Sequence, residues 1–202
     1  IDILCGGSQK VISAPPGLTL VTISSDAWSA MLTRRTPVAS FYASLPAFHG
    51  YFENQWFPYT MPISDIYGLR AAMENILADP SILERHARLA KAVRFALTDC
   101  GLTLHTRDGY SSTVTVFDIP EKTDAAAILE ALKKYHNIML AGSFDILEGQ
   151  VIRIGHMGEN AREEKLLSLM KALDDVLSRL GVPLTSSLTD AFLRSLHADS
   201  AS

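Results

Sequence analysis

An α/β chain whose second half forms a small α+β domain is predicted by three observations. The run at residues 18–23 is apolar and β-branched, with Thr19 and Thr22 its only polar members, which suits a strand buried on both faces. Apolar residues recur at helical spacing after Pro62 and again between Pro80 and Cys100. From residue 80 onward the patterns order as α-β-β-α-β-β-α, the sequence of a sheet covered on one side by helices. At 202 residues and 48% hydrophobic content the chain is long enough to bury a sizeable core.

The elements follow in order. A short apolar strand at residues 1–4 runs into Cys5-Gly6-Gly7-Ser8-Gln9-Lys10, a turn-rich loop that Pro15-Pro16-Gly17 terminates. Ser24 or Ser25 can cap a short helix reaching Met31. Residues 33–61 are irregular and aromatic, with Phe41, Tyr42, Phe48, Tyr51, Phe52, Trp56, Phe57 and Tyr59, a composition that packs against something. Ile63, Ile66, Leu69, Met73, Ile76 and Leu77 then give a helix of about 15 residues. A second helix over 80–100 puts Leu83, Ala87, Ala90, Val93 and Leu97 on one face and stops at Gly101. Strands are expected near 102–105 and 113–118, a helix over 123–135, and strands near 138–141 and 151–154. The last helix is expected to begin at Asn160, with Glu163 completing a capping-box-like start, and to end at Gly181-Val182-Pro183. Residues 185–202 read as a polar tail, a short helix or disordered. The expected division is 1–78, 79–184 and the tail 185–202.

The formal net charge of -4, with lysines and arginines scattered over helices, offers no field for nucleic acid. No window approaches the roughly 20 apolar residues of a membrane span, and no signal-peptide pattern is present. A soluble, cytoplasmic protein without membrane partners is the expectation. Cys5 and Cys100 are too few and too far apart for a disulfide framework. The six histidines lack ligand spacing, so no metal site is expected. The chain opens on Ile1 rather than Met, and the expectation is a fragment.

Two charges stand out. Lys10 is the only charged residue between Ile3 and Ser25, set in a Gly-rich loop. In a partly desolvated pocket its amine would be available for attack on an aldehyde; the residues alone favour an exposed loop lysine. Arg153 is the only charge between Glu148 and Glu159, on an otherwise apolar strand. Its planar fork matches a carboxylate, which could be a ligand or an internal acid. His156 reads as a core histidine, and Thr60 could cap the helix that follows it.

Gly7-Ser8-Gln9-Lys10 followed by Ala14-Pro15-Pro16-Gly17-Leu18 resembles the cofactor-lysine segment of class V, fold type I aminotransferases that depend on pyridoxal 5'-phosphate. Tyr59-Thr60-Met61-Pro62 with Tyr67 and Leu69, and Arg153-Ile154-Gly155-His156-Met157-Gly158, resemble two further elements of that family. Gln9 and Pro15-Pro16 favour its alanine–glyoxylate, serine–pyruvate and pyridoxamine–pyruvate branch. The resemblance implies that 1–78 is the C-terminal part of the large cofactor-binding domain with a dimer-interface segment, and 79–184 the small α+β domain. It implies that Lys10 is catalytic and carries the cofactor, that Gln9 and Thr60 help hold its phosphate, and that Arg153 binds the substrate α-carboxylate. Thr60 would reach the other subunit's cofactor in a homodimer with shared sites. Phe57 and Ser143 depart from the pattern, at positions where relatives have tyrosine and glycine. The implied reaction moves an amino group from a small amino acid to a 2-oxo acid such as glyoxylate or pyruvate. Relatives carry an N-terminal half that this sequence lacks, supplying the phosphate-binding turn, the ring-stacking aromatic and the aspartate on the pyridine nitrogen. The alternatives are a catalytically silent subunit that completes a site with a separate N-terminal chain, or another class V reaction such as a lyase or desulfurase.

Overall fold

The computed structural model describes residues 1–199, so the end of the expected tail, 200–202, lies outside the described residues. The chain divides into two compact units, Ile1–Ala78 and the remainder from Asp79 onward.

In the first unit β1 (Ile3–Gly7) and β2 (Thr19–Ile23) pair antiparallel, with Cys5 opposite Val21. α1 (Ser25–Leu32) starts at Ser24, whose hydroxyl accepts from the Ala27 N–H at 3.2 Å and so satisfies one of the helix's unpaired donors. A single 3₁₀ turn at Leu45–Phe48 interrupts the irregular aromatic stretch, and α2 (Ile63–Leu77) follows Pro62. Burial in this unit is confined to Ser8 and Ala14 among the described residues. The strand expected to be buried on both faces is therefore not so: Thr19 and Thr22 are exposed, and Leu20, Val21 and Ile23 half-buried. A two-stranded ribbon gives each strand one neighbour and encloses neither face.

The second unit is an α+β layer built on α3 (Ile82–Asp99), β3 (Val114–Asp118), α4 (Ala125–His136), β4 (Val151–Gly155), α5 (Glu163–Arg179) and α6 (Leu188–Asp199). β3 and β4 pair antiparallel with Thr115 opposite Ile154, Val116 opposite Arg153 and Phe117 opposite Ile152. The pleat sends Thr115, Phe117, Ile152 and Ile154 into the core and Val116 and Arg153 to the other face. Leu89, Leu97, Ile128, Leu132, Met170, Leu173, Leu177 and Phe192 fill that core from the helices.

Four sequence expectations change. The strands near 102–105 and 138–141 are reduced to single bridges, Leu104 to Phe117 and Ala141 to Arg153, because the sheet continues there for one pair only. α5 starts at Glu163, since the left-handed Gly158 bends the chain into a 3₁₀ turn ending at Asn160. The buried stripe of α3 runs through His86, Leu89, Ala90, Val93 and Leu97, leaving Leu83 and Ala87 exposed. The stripe is rotated because α6 packs on α3, and α6 is the stretch read as a tail. Leu188, Ala191, Phe192 and Leu196 of α6 are buried in the common core. Asp174 of α5 holds its start, accepting from the Leu188 N–H at 2.8 Å, the Thr189 N–H at 3.0 Å and the Ser187 and Thr189 hydroxyls.

Candidate functional site

The loop between β1 and β2 is closed by Ser8. This residue is fully buried, and its Oγ donates to the Pro15 carbonyl at 2.6 Å while accepting from the Leu18 N–H at 3.3 Å. Its N–H donates to the Leu18 carbonyl at 3.1 Å, and its carbonyl accepts from the Ala14 N–H at 3.0 Å. All the bonding capacity of one small residue thus goes into tying the two ends of the loop together. Lys10 lies inside the loop, its N–H donating to the Gly7 carbonyl and its carbonyl accepting from Ser13, which takes a left-handed φ of 59°. Gln9 folds back over Gly7, where an added Cβ would stand 2.8 Å from the Gln9 Oε1. Both Gln9 and Lys10 are exposed. Within Ile1–Ala78 the loop satisfies its polar groups through its own backbone, and nothing encloses the Lys10 side chain.

The far arm of the loop rests on α2. A Cβ at Gly68 would approach Pro15 Cδ to 2.7 Å and Cγ to 2.8 Å, and one at Gly17 would approach Asp65 Oδ2 to 3.0 Å. Glycine inside a helix costs about 1 kcal/mol relative to alanine, so this close approach is what the position gains. Thr60 precedes the same helix. Pro62 occupies the N-cap position without a side-chain hydrogen bond, so Thr60 is not the cap, and among the described residues its exposed hydroxyl has no partner. The segment before it packs on itself: Phe57 meets Phe48 and Tyr51 edge-on at 5.4 and 5.9 Å, and the Tyr59 hydroxyl donates to the Phe41 carbonyl at 2.6 Å. Phe57 therefore serves as a packing residue.

Arg153 belongs to the second unit. Its backbone N–H donates to the Ala141 carbonyl at 2.8 Å and its Nε to the Gly142 carbonyl at 2.7 Å, while Cζ lies 5.8 Å from the centre of the Phe144 ring. The side chain is half-buried, and among the described residues no carboxylate pairs with it, which removes the internal salt bridge as its explanation. The guanidinium is held by one edge with Nη1 and Nη2 left open, the two-pronged donor that a carboxylate fits.

Two buried histidines brace this strand. His156 donates from Nδ1 to the Ser112 carbonyl at 3.2 Å and accepts at Nε2 from the Thr115 hydroxyl at 2.8 Å; burial holds its pKa down to about 4, so it is a neutral core residue. His86 accepts from the Gly158 N–H at 2.9 Å and donates from Nδ1 to the Ile82 carbonyl at 2.6 Å, latching the turn after β4 onto α3. Among the described residues no group of three or more histidine, cysteine or acidic side chains could hold a metal. Among the described residues no helix is long and apolar enough to cross a membrane.

Lys10, Gln9 and Thr60 thus fall in one unit and Arg153 in the other. Ser8, the Gly142 carbonyl and Phe144 escaped the sequence reading, because their roles depend on backbone bonds and ring stacking that leave no periodic pattern. Gly68 did leave a signal, a lone glycine in a helical run.

No protein-family model matches the chain. It is 34% identical over 183 residues to the soluble hydrogenase small subunit of Synechococcus sp., covering 90% of this chain and 47% of that protein. It is 34% identical over 187 residues to the serine–glyoxylate aminotransferase of Arabidopsis thaliana, covering 91% and 46%. Its fold matches the crystal structure of pyridoxamine–pyruvate aminotransferase from Mesorhizobium loti with a TM-score of 0.91 at 29% identity, over 98% of this chain and 52% of that one. The chain thus spans about half the length of the proteins it matches. By sequence and by fold the chain is similar, over about half their length, to fold type I, pyridoxal-phosphate-dependent aminotransferases, among them ones named for glyoxylate or pyruvate.

Proposed function

We propose that this chain supplies the cofactor-lysine and substrate-arginine portion of an aminotransferase that moves an amino group from a small amino acid to a 2-oxo acid such as glyoxylate or pyruvate. The observation that carries this reading is Arg153, oriented by the Gly142 carbonyl and free of any acid among the described residues. The residues present suit two ends of pyridoxal 5'-phosphate: Lys10 offers an amine for its aldehyde, and Gln9 and Thr60 offer an amide and a hydroxyl for its phosphate. Bound there, the cofactor supplies the aldehyde and the electron sink of the reaction. The chain's own contribution is positional: Lys10 holds and moves the proton at the substrate α-carbon, and Arg153 fixes the carboxylate so that the breaking C–H bond is correctly oriented. A homodimer in which Thr60 serves the neighbouring site, and a cytoplasmic setting in keeping with the two free cysteines, belong to the same proposal.

The exposure of Lys10 within this chain leaves room for a second reading, in which the chain is silent alone and completes a site with an N-terminal partner. Titration of the purified chain with pyridoxal 5'-phosphate, followed by the visible absorbance of covalently held cofactor, separates the two. A band from the chain alone that Lys10→Ala abolishes excludes the silent reading. A band that develops only when the N-terminal half of a relative is added, and needs Lys10, supports it. A band that persists in Lys10→Ala refutes the role of Lys10 in both.

A further inference from the structure

We infer that Ser8 is a positioning residue for Lys10, and that it fixes the lysine loop to α2 through the Ser8–Pro15–Gly68 contact. The inference rests on the proposed role of Lys10 and adds the device that sets where its amine stands. Ser8 and Ala14 are the only buried residues among those described in Ile1–Ala78, so burial here is concentrated where the loop closes rather than in a hydrophobic layer. The four hydrogen bonds of Ser8 join residues 14, 15 and 18 to the residue two positions before Lys10. Such a network fixes the loop's ends while leaving Lys10 in the span between them.

The second half of the device is steric. Pro15, whose carbonyl Ser8 holds, has its ring against the backbone of Gly68, and Gly17 lies over Asp65, one helical turn earlier. The loop is therefore registered on the first turns of α2, directly after Thr60. An exposed lysine side chain has many rotamers, and the part of its position that the fold can set in advance is the backbone beneath it. Ser8 and Gly68 set that backbone. They also place the lysine loop and the segment bearing Thr60 in one frame, so neither can move without the other.

The test uses the full chain and two readouts. Amide hydrogen exchange at Ala14 and Leu18 reports the closure. Borohydride trapping of pyridoxal 5'-phosphate, followed by peptide mapping, reports the share of label on Lys10 against the other lysines. Ser8→Ala removes the acceptor of the Leu18 N–H and is expected to speed exchange there about tenfold, to speed it also at Ala14, whose bond to the Ser8 carbonyl the variant keeps, through loosening of the closure, and to cut the Lys10 share several-fold. Gly68→Ala approaches the same contact from the helix side and is expected to shift both readouts the same way. In a Pro15→Ala background, which removes the ring atoms, the added methyl should have little further effect. Unchanged exchange in both single variants would refute the closure. Faster exchange with an unchanged Lys10 share would show Ser8 to be structural only and overturn the inference. If the wild-type chain shows no preference for Lys10, the proposed function fails instead, and the exchange readout still decides whether the closure exists.

Discussion

Arg153 reaches its position through two ordinary features: the alternation of β4, which sends it away from the core that receives Ile152 and Ile154, and the carbonyl of Gly142, which takes its Nε. A lysine at this position would keep the charge and lose the planar fork. On the proposed function, Arg153→Lys is therefore expected to raise the KM for pyruvate about tenfold or more, in line with one charge-assisted hydrogen bond lost. Cofactor absorbance should be unaltered, and an equal loss of cofactor binding would show that Arg153 acts on the fold. Behind this strand, His156 makes a different kind of claim. Its folded pKa of about 4 lies below the ordinary histidine value of 6.5, so the unfolded chain binds more protons between these limits. The stability His156 contributes is complete above pH 6.5 and is lost as pH falls toward 4, roughly 3 kcal/mol in all. The protection factor of the Ile154 amide, its exchange rate taken relative to the intrinsic rate at each pH, should fall accordingly from pH 7 to 4.5, and His156→Gln should flatten that dependence. The charged character of Lys10 and Arg153 was legible in the sequence because each stands alone in an apolar run. The exposure of Lys10 agrees with what composition alone favours for a loop lysine, although isolation along the chain says nothing of what encloses a side chain in space.

The elements show why some patterns translate and others do not. Helix α2 was readable from its apolar spacing and the proline before it, and α4 was expected over 123–135, where Asp124 caps it by accepting from the Ala127 N–H at 2.7 Å. The expected strands at 102–105 and 138–141 have the right composition, yet each meets the sheet at one residue, because composition does not specify how far a partner strand extends. Helix α6 was left open between a short helix and disorder for a related reason. Its twelve residues are short for a helix by propensity alone, and its stability comes from burial on α3 and α5 and from a cap supplied by another helix. Asp174→Ala would leave the Leu188 and Thr189 amides and two hydroxyls without their acceptor. It is expected to cost about 2 kcal/mol, read as a lower urea midpoint for the second unit with faster exchange in α6. Loss of helix α3 at the same midpoint would show the two to unfold together, whereas no change at all would deny the cap its role.

For the molecule as a whole, the decisive contrast is where apolar surface goes. From Asp79 onward, aliphatic and aromatic side chains converge on one core in which Leu89, Val93, Phe117, Ile152, Leu173 and Phe192 are all fully buried. In Ile1–Ala78 the comparable residues stay in water: Leu4, Phe41, Tyr42, Phe52, Trp56 and Leu77 are each more than half exposed. Since hydrophobic burial is the main favourable term of folding, at about 25 cal/mol per Å², the stability of this chain resides in the second unit. Hydrogen exchange should therefore divide near residue 79, with slow amides in α3, β4 and α5 and fast ones in β1, β2 and α2. Residues 79–202 expressed alone should keep the slow set and the acid response of His156, because His156, Thr115, Ser112 and His86 all lie within them. Residues 1–78 alone should show little protection. Comparable protection in the two separated pieces would mean that Ile1–Ala78 has a source of stability beyond the burial of Ser8 and Ala14.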